Sequence, residues 1–187
     1  MSKHLIVTRG GQSAPHIVKF TQFDSTIDVM CAESNSLIYH HPYAVTNHYN
    51  SYAGGILAED DYGWICYEAH DMVYPQAKVL YLFRKEFIGK VKVFSDLQES
   101  MREFVSLVPN SNWQGSLKIT DVLNHNDNTV DPEKGGWSDG CLTIYPGPLP
   151  DMKLMLEYWA LFSIGEVGTL TLKRQPGWKA PEFYQGK

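Results

Sequence analysis

Two residues sixteen positions apart have types and spacing that could do chemistry: His125, in Leu123-Asn124-His125-Asn126-Asp127, and Cys141, in Gly135-Gly136-Trp137-Ser138-Asp139-Gly140-Cys141-Leu142-Thr143-Ile144. A thiol is mostly protonated at neutral pH, and an adjacent imidazole that takes its proton leaves a thiolate, the attacking species. The stretch between them is long enough to fold back and set an imidazole beside the thiol. The backbone N–H groups of Gly140 and Cys141 would then face the oxygen of a developing tetrahedral intermediate. Gly140 lacks a Cβ, which permits positive φ and close approach of a substrate carbonyl. Asn126 follows the base, and its carbonyl would fix which imidazole nitrogen carries the proton. The competing reading is a structural Cys141 behind a tight glycine turn, with His125 an ordinary loop residue.

The elements around this pair set what can position it. Gly115 leads into a strand over 116–123 that delivers His125 at its end, and 141–145 reads as a second strand. Pro146-Gly147-Pro148 forces a turn, Asp151 suits the start of a helix, and Met152, Met155, Leu156, Trp159 and Phe162 form that helix's apolar stripe. Gly165 stops it, and 167–173 makes a last strand before a surface tail at 174–187. Upstream, 3–9, 16–22 and 26–33 read as short strands, the third alternating Ile27, Val29 and Cys31 with Asp28 and Met30. Residues 33–62, with His40, His41, Pro42, His48, Asn50 and Gly54-Gly55, read as a long polar loop. Strands follow at 64–70, 79–83 and 90–94. Ser95-Asp96-Leu97-Gln98 then looks like a capping box opening a helix, with Leu97, Met101, Phe104, Val105 and Val108 on one face and Pro109 as its stop. The expectation is a single domain over 1–187, mainly β, with β-sandwich-like mixed sheets and two helices. Residues 116–173 form its catalytic core segment.

Composition narrows the function classes. The 187 residues are 43% hydrophobic and 20% charged, an ordinary globular balance that allows a proper core. A net charge of −5 without a basic stripe gives counterion-release binding no source, so nucleic acid is not an expected partner. No apolar run is long enough to span a membrane, and the N-terminus lacks a secretory h-region. The expectation is a protein made in the cytoplasm. Three cysteines cannot all pair within one chain, and Cys31 and Cys66 read as small buried hydrophobes. His40 and His41 are adjacent and cannot both face one ion from a regular element, and His48 lacks a carboxylate at a ligand spacing. His70 with Asp71 reads as a surface turn. No metal and no cofactor are expected, the metal-dependent hydrolase being the weakest alternative.

The ordered set of strand, histidine, loop, Ser138-Asp139-Gly140-Cys141, strand, helix and Gly168-Thr169-Leu170-Thr171-Leu172 resembles the L,D-transpeptidase catalytic domain of bacterial cell-wall enzymes. The likeness covers roughly 116–173. It implies Cys141 as nucleophile, His125 as base, the carbonyl of Asn126 orienting the imidazole, and Ser138, Asp139 and Gly140 lining the oxyanion and substrate site. It also implies a peptidoglycan stem peptide as acyl donor, with an amine or water as acceptor. Two features depart from the family. Asp139 stands where the family has histidine, and a nearby anion raises a thiol's pKa, so activation would rest on His125. Leu142-Thr143-Ile144 stands where an Arg or Asn usually follows the cysteine. Without a signal peptide, such an enzyme would reach the periplasm or wall by phage lysis or delivery as an effector. The alternative is a non-catalytic cell-wall-binding or phage structural module on the same fold, holding glycopeptide through its Tyr and Trp side chains.

Overall fold

The structure, a computed structural model, describes residues 2–18, 21–46, 56–68, 78–107, 117–120, 123–126, 141–145, 147 and 152–179. Its strands are β1 (Lys3–Arg9), β2 (His16–Val18), β3 (Thr21–Phe23), β4 (Ser25–Cys31), β5 (Leu37–Val45), β6 (Ile56–Leu57), β7 (Asp61–Glu68), β8 (Lys78–Arg84), β9 (Glu103–Leu107), β10 (Leu117–Thr120), β11 (Leu123–Asn126), β12 (Leu142–Ile144) and β13 (Val167–Arg174). One α-helix, α1 (Lys153–Trp159), occurs among the described residues. A mixed sheet curls into a closed barrel in the order β1-β13-β7-β8-β11-β12-β5-β4, with β4 pairing back onto β1. The pairs β1/β13 and β11/β12 are parallel and the other barrel pairs antiparallel. The mainly β, mixed-sheet character is as expected, but the sheet closes on itself where two facing sheets were expected. Among the described residues each barrel strand has a paired neighbour on both sides, though β5 meets β12, and β8 meets β11, over two rows only.

Alternation explains the interior. Leu5 and Val7 of β1, Ile27 and Val29 of β4, Leu80 and Leu82 of β8, and Leu170 and Leu172 of β13 project into one apolar core. Met155, Tyr158 and Trp159 of α1, with Phe162 just beyond it, join the same core. The helix therefore seals the barrel end where β1, β8 and β13 begin. Lys78 Nζ, at the start of β8, donates to the carbonyls of Trp159 (3.0 Å) and Phe162 (2.6 Å), which answers the electron-rich C-terminal end of the helix. On the barrel's outer face, Ile65 and Phe83 are covered by Val91, Phe94, Leu97 and Met101 from the segment after β8.

That segment corrects two expectations. Residues 90–94 form no strand, and 95–107 form no long helix: 94–96 and 99–101 are single 3₁₀ turns, and 103–107 is strand β9. The box expected at Ser95 and Gln98 is set two residues earlier: Val93 is the cap and Asp96 the third residue of the turn, its carboxylate accepting from the N–H groups of Lys92 (2.8 Å) and Val93 (3.0 Å), and the turn ends after one round. The reason is tertiary. Glu103–Leu107 pairs with β10 on one side and β6 on the other, and strand pairing overrides the helical spacing of a few apolar residues. Val108 and Pro109 lie outside the described residues.

The long loop at 33–62 is also revised, because it contains β5 and β6. Leu37-Ile38-Tyr39-His40-His41-Pro42-Tyr43-Ala44-Val45 is rich in branched and aromatic residues, and its proline sits in an irregularity of register between Ser25↔Ala44 and Ile27↔His41. A bulge is where a strand tolerates proline. The strand expected over 16–22 is instead the two short strands β2 and β3, paired to each other. No helix among the described residues is long and apolar enough to cross a membrane.

Candidate active site

The pairing of β11 with β12 decides what becomes of the His/Cys pair. These strands run parallel with the register Asn124↔Leu142, His125↔Thr143 and Asn126↔Ile144. Cys141 stands immediately before β12, and its sulfur accepts the backbone N–H of Leu123 at 3.4 Å. His125 is therefore two residues, about 7 Å of strand, further along β11 from the amide that meets the thiol. Its backbone lies one strand over from Cys141. The residues between the two strands, 127–140, lie outside the described residues, Asp127, Ser138, Asp139 and Gly140 among them.

The neighbouring strands hold this pair in place. β8 flanks β11 with Leu123↔Tyr81 and Asn124↔Leu80, and β5 flanks β12 with Thr143↔Val45 and Ile144↔Ala44. Leu142 and Ile144 belong to the barrel core, and Thr143 between them is equally buried. Tyr145 N–H donates to Tyr43 O (3.0 Å), and its ring meets Phe23 at 5.3 Å, so the exit of β12 is fixed as well. Cys141 itself is only partly buried.

A buried cation braces the strand end beside this site. Arg9, at the end of β1, is fully enclosed: Nε donates to Thr46 Oγ1 (2.9 Å), one terminal nitrogen to Leu57 O (2.6 Å), and the other pairs with Glu59. Glu59 also receives Arg174 at 2.6 and 2.7 Å, and the indole of Trp178 lies against both guanidinium groups. Thr46 directly follows β5, so the brace holds the strand that borders β12. Burial pushes the Arg9 pKa down, and Glu59 pulls it partly back.

The other two cysteines contrast with Cys141. Cys66 is buried under α1, and that burial raises its pKa to about 11, with Lys78 the main opposing influence. Cys31 is also buried and donates its S–H to Glu33 Oε2 at 3.1 Å. All three cysteines carry thiols rather than a disulfide. The histidines part company: His40 pairs with Asp28 at the surface (2.6 Å), while His41 faces the interior against Tyr39 and Tyr158. No group of three His, Cys, Asp or Glu side chains able to hold a metal occurs among the described residues, and His48 and His70 fall outside them.

A cavity of about 200 Å³ lies between Ala58, Tyr62, Arg84 and Phe104 at the β7/β8 end of the barrel. Its lining carries Asp60, Asp61, Glu86 and Glu103 against Arg84 and Lys85, with Asp60 on Lys85 (2.7 Å) and Arg84 beside Glu86 (3.1 Å). The contact to Cys141 that the sequence does not signal is the Leu123 amide: a backbone donor has no side-chain signature, and only the fold discloses it. Compared with protein-family models, curated proteins and solved structures, the chain shows no match to any of them.

Proposed function

We propose that the protein is a cysteine-dependent acyl-transfer enzyme of the L,D-transpeptidase type, acting on peptidoglycan stem peptides. The single observation that carries the reading is the parallel β11/β12 register, which sets His125 and Cys141 on adjacent strands with the thiol at a strand start. In this reading the His125 imidazole accepts the Cys141 proton. The thiolate attacks a peptide carbonyl, the leaving amine departs with a proton, and an amine or water then releases the acyl group from sulfur. Asn126, next along β11, orients the imidazole, and the Gly140 and Cys141 amides, with Ser138 and Asp139 beside them, receive the oxyanion and substrate. The substrate class comes from the motif resemblance. A partly buried thiol, set against two enclosed ones, suits a nucleophile that must meet a polymer.

The deciding experiment is the pH dependence of Cys141 alkylation by iodoacetamide, followed by mass spectrometry, in the wild type and in His125→Ala. The expected result is an apparent pKa well below the ~8.5 of an ordinary thiol, lost in the variant. Muropeptide turnover should then disappear in Cys141→Ala. Identical alkylation in both proteins, with cell-wall binding retained by Cys141→Ala, would replace the enzyme by a binding or phage structural module on the same fold.

A further inference from the structure

The β11/β12 ladder begins at Asn124↔Leu142, and one row earlier a side chain stands where a ladder would place a carbonyl: Leu123 N–H donates to Cys141 Sγ at 3.4 Å. Leu123 is itself held in register with Tyr81 of β8, inside the closed barrel. The donor is therefore fixed by the fold before any substrate arrives. A hydrogen bond to sulfur stabilises the thiolate more than the thiol, since a charged acceptor strengthens it, and a donor fixed in advance needs no reorganisation.

We infer that the Leu123 backbone amide is a positioning group for the Cys141 thiolate, favouring the ionised sulfur. The inference deepens the acyl-transfer reading and rests on Cys141 being its nucleophile. It also answers a difficulty in the motif. Asp139 stands where the family carries histidine, and an anion near a thiol opposes its ionisation. A neutral donor supplies stabilisation that needs no second cation. The proton itself still leaves the sulfur for the imidazole or for water.

The test starts from the unaltered protein. Across pH 5 to 10, the Leu123 amide in ¹⁵N–¹H spectra should shift with the same apparent pKa that Cys141 alkylation reports, and the shift should vanish in Cys141→Ala. Leu123→Pro then deletes the donor at the first residue of a strand, where proline is tolerated. Its Cys141 pKa should rise by about one unit, moving the whole alkylation profile up the pH scale by the same amount, in line with a hydrogen bond to a charged group. A Leu123 amide that stays silent while Cys141 titrates would overturn the inference, whatever the proline variant does. The two readings separate cleanly: an amide that tracks the thiol without muropeptide turnover upholds the positioning role and sinks the transferase, and turnover with a silent amide does the reverse.

Discussion

At the scale of single residues, the barrel encloses groups whose ionisation it must control, and His41 is the clearest. Its ring sits against Tyr158 and Tyr39 (centroids 5.4 and 6.2 Å), and neither ring nitrogen has a partner of hydrogen-bonding geometry. Burial pushes its pKa down to about 4; the backbone near Tyr43 and Tyr145 offsets only part of this, and His40 adds to the depression. Above pH 6.5 the imidazole is neutral whether the chain is folded or not, and stability is unaffected. As pH falls from there towards 4, the unfolded chain takes up a proton that the native state refuses. The native state should lose about 3 kcal/mol over that interval, with no further loss once the folded ring also protonates. Urea titrations at pH 7 and pH 4.5 should therefore show a steeper loss for the wild type than for His41→Phe. Equal losses would place the acid sensitivity on other groups. Adjacent histidines in one strand look alike in the sequence, yet one pairs with Asp28 at the surface and the other is sealed in the core.

At the scale of elements, what was legible followed from how local the deciding forces are. β4 and β13 announce themselves by alternation of apolar residues, β1 and β8 by short continuous apolar runs, and α1 by Met155 and Trp159 with Phe162 just beyond it. The strand expected over 116–123 is two, β10 in the sheet with β9 and β11 in the barrel, and only the β11/β12 register, which no local pattern carries, brings the backbone of His125 and Cys141 onto neighbouring rows. β5 was hidden by its two histidines and Pro42, polar and chain-breaking signals that a bulge absorbs. β9 was hidden because its apolar residues also fit a helix until β6 and β10 compete for them. Glycine placement is equally non-local. Gly63 in β7 reads as a weak spot, but the Phe83 ring lies across it, and an added Cβ would stand 2.0 Å from that ring. Gly168 makes the same kind of room for the Trp64 indole, whose Nε1 donates to Thr169 O at 2.8 Å. Since Phe83 is itself enclosed, Gly63→Ala should cost about 1–3 kcal/mol by overpacking and disturb the layer of Val91 and Phe94 above it. Chemical denaturation measures this directly, and a midpoint equal to the wild type would mean that the ring swings aside freely.

At the scale of the whole molecule, stability hangs on a closure that joins the two ends of the described chain. β13 lies between β1 and β7, parallel to the first and antiparallel to the second, with His4↔Thr169 and Gly168↔Trp64 in register. Around it, Lys3 meets Glu166 (2.5 Å) at one end, and Arg174 shares Glu59 with Arg9 at the other. The segment expected to lie loosely beyond it is tied down as far as it is described: Gln175 N–H donates to Arg9 O (2.9 Å), and Trp178 Nε1 to Asp24 Oδ2 (2.7 Å). No local pattern encodes which strand closes the ring, because the partner of Thr169 is at the far end of the sequence. Deleting 167–187 should therefore do more than remove one strand. It bares the hydrogen-bonding edges of β1 and β7, removes Leu170 and Leu172 from the core, and leaves Arg9 and Glu59 without Arg174 and Trp178. A chain cut at 166 should bind a hydrophobic dye and unfold without a cooperative transition, and a peptide spanning 167–187 added in trans should restore cooperativity by refilling the gap. A cooperative melt for the shortened chain alone would mean that the remaining strands re-close without β13, and that the barrel tolerates a smaller ring.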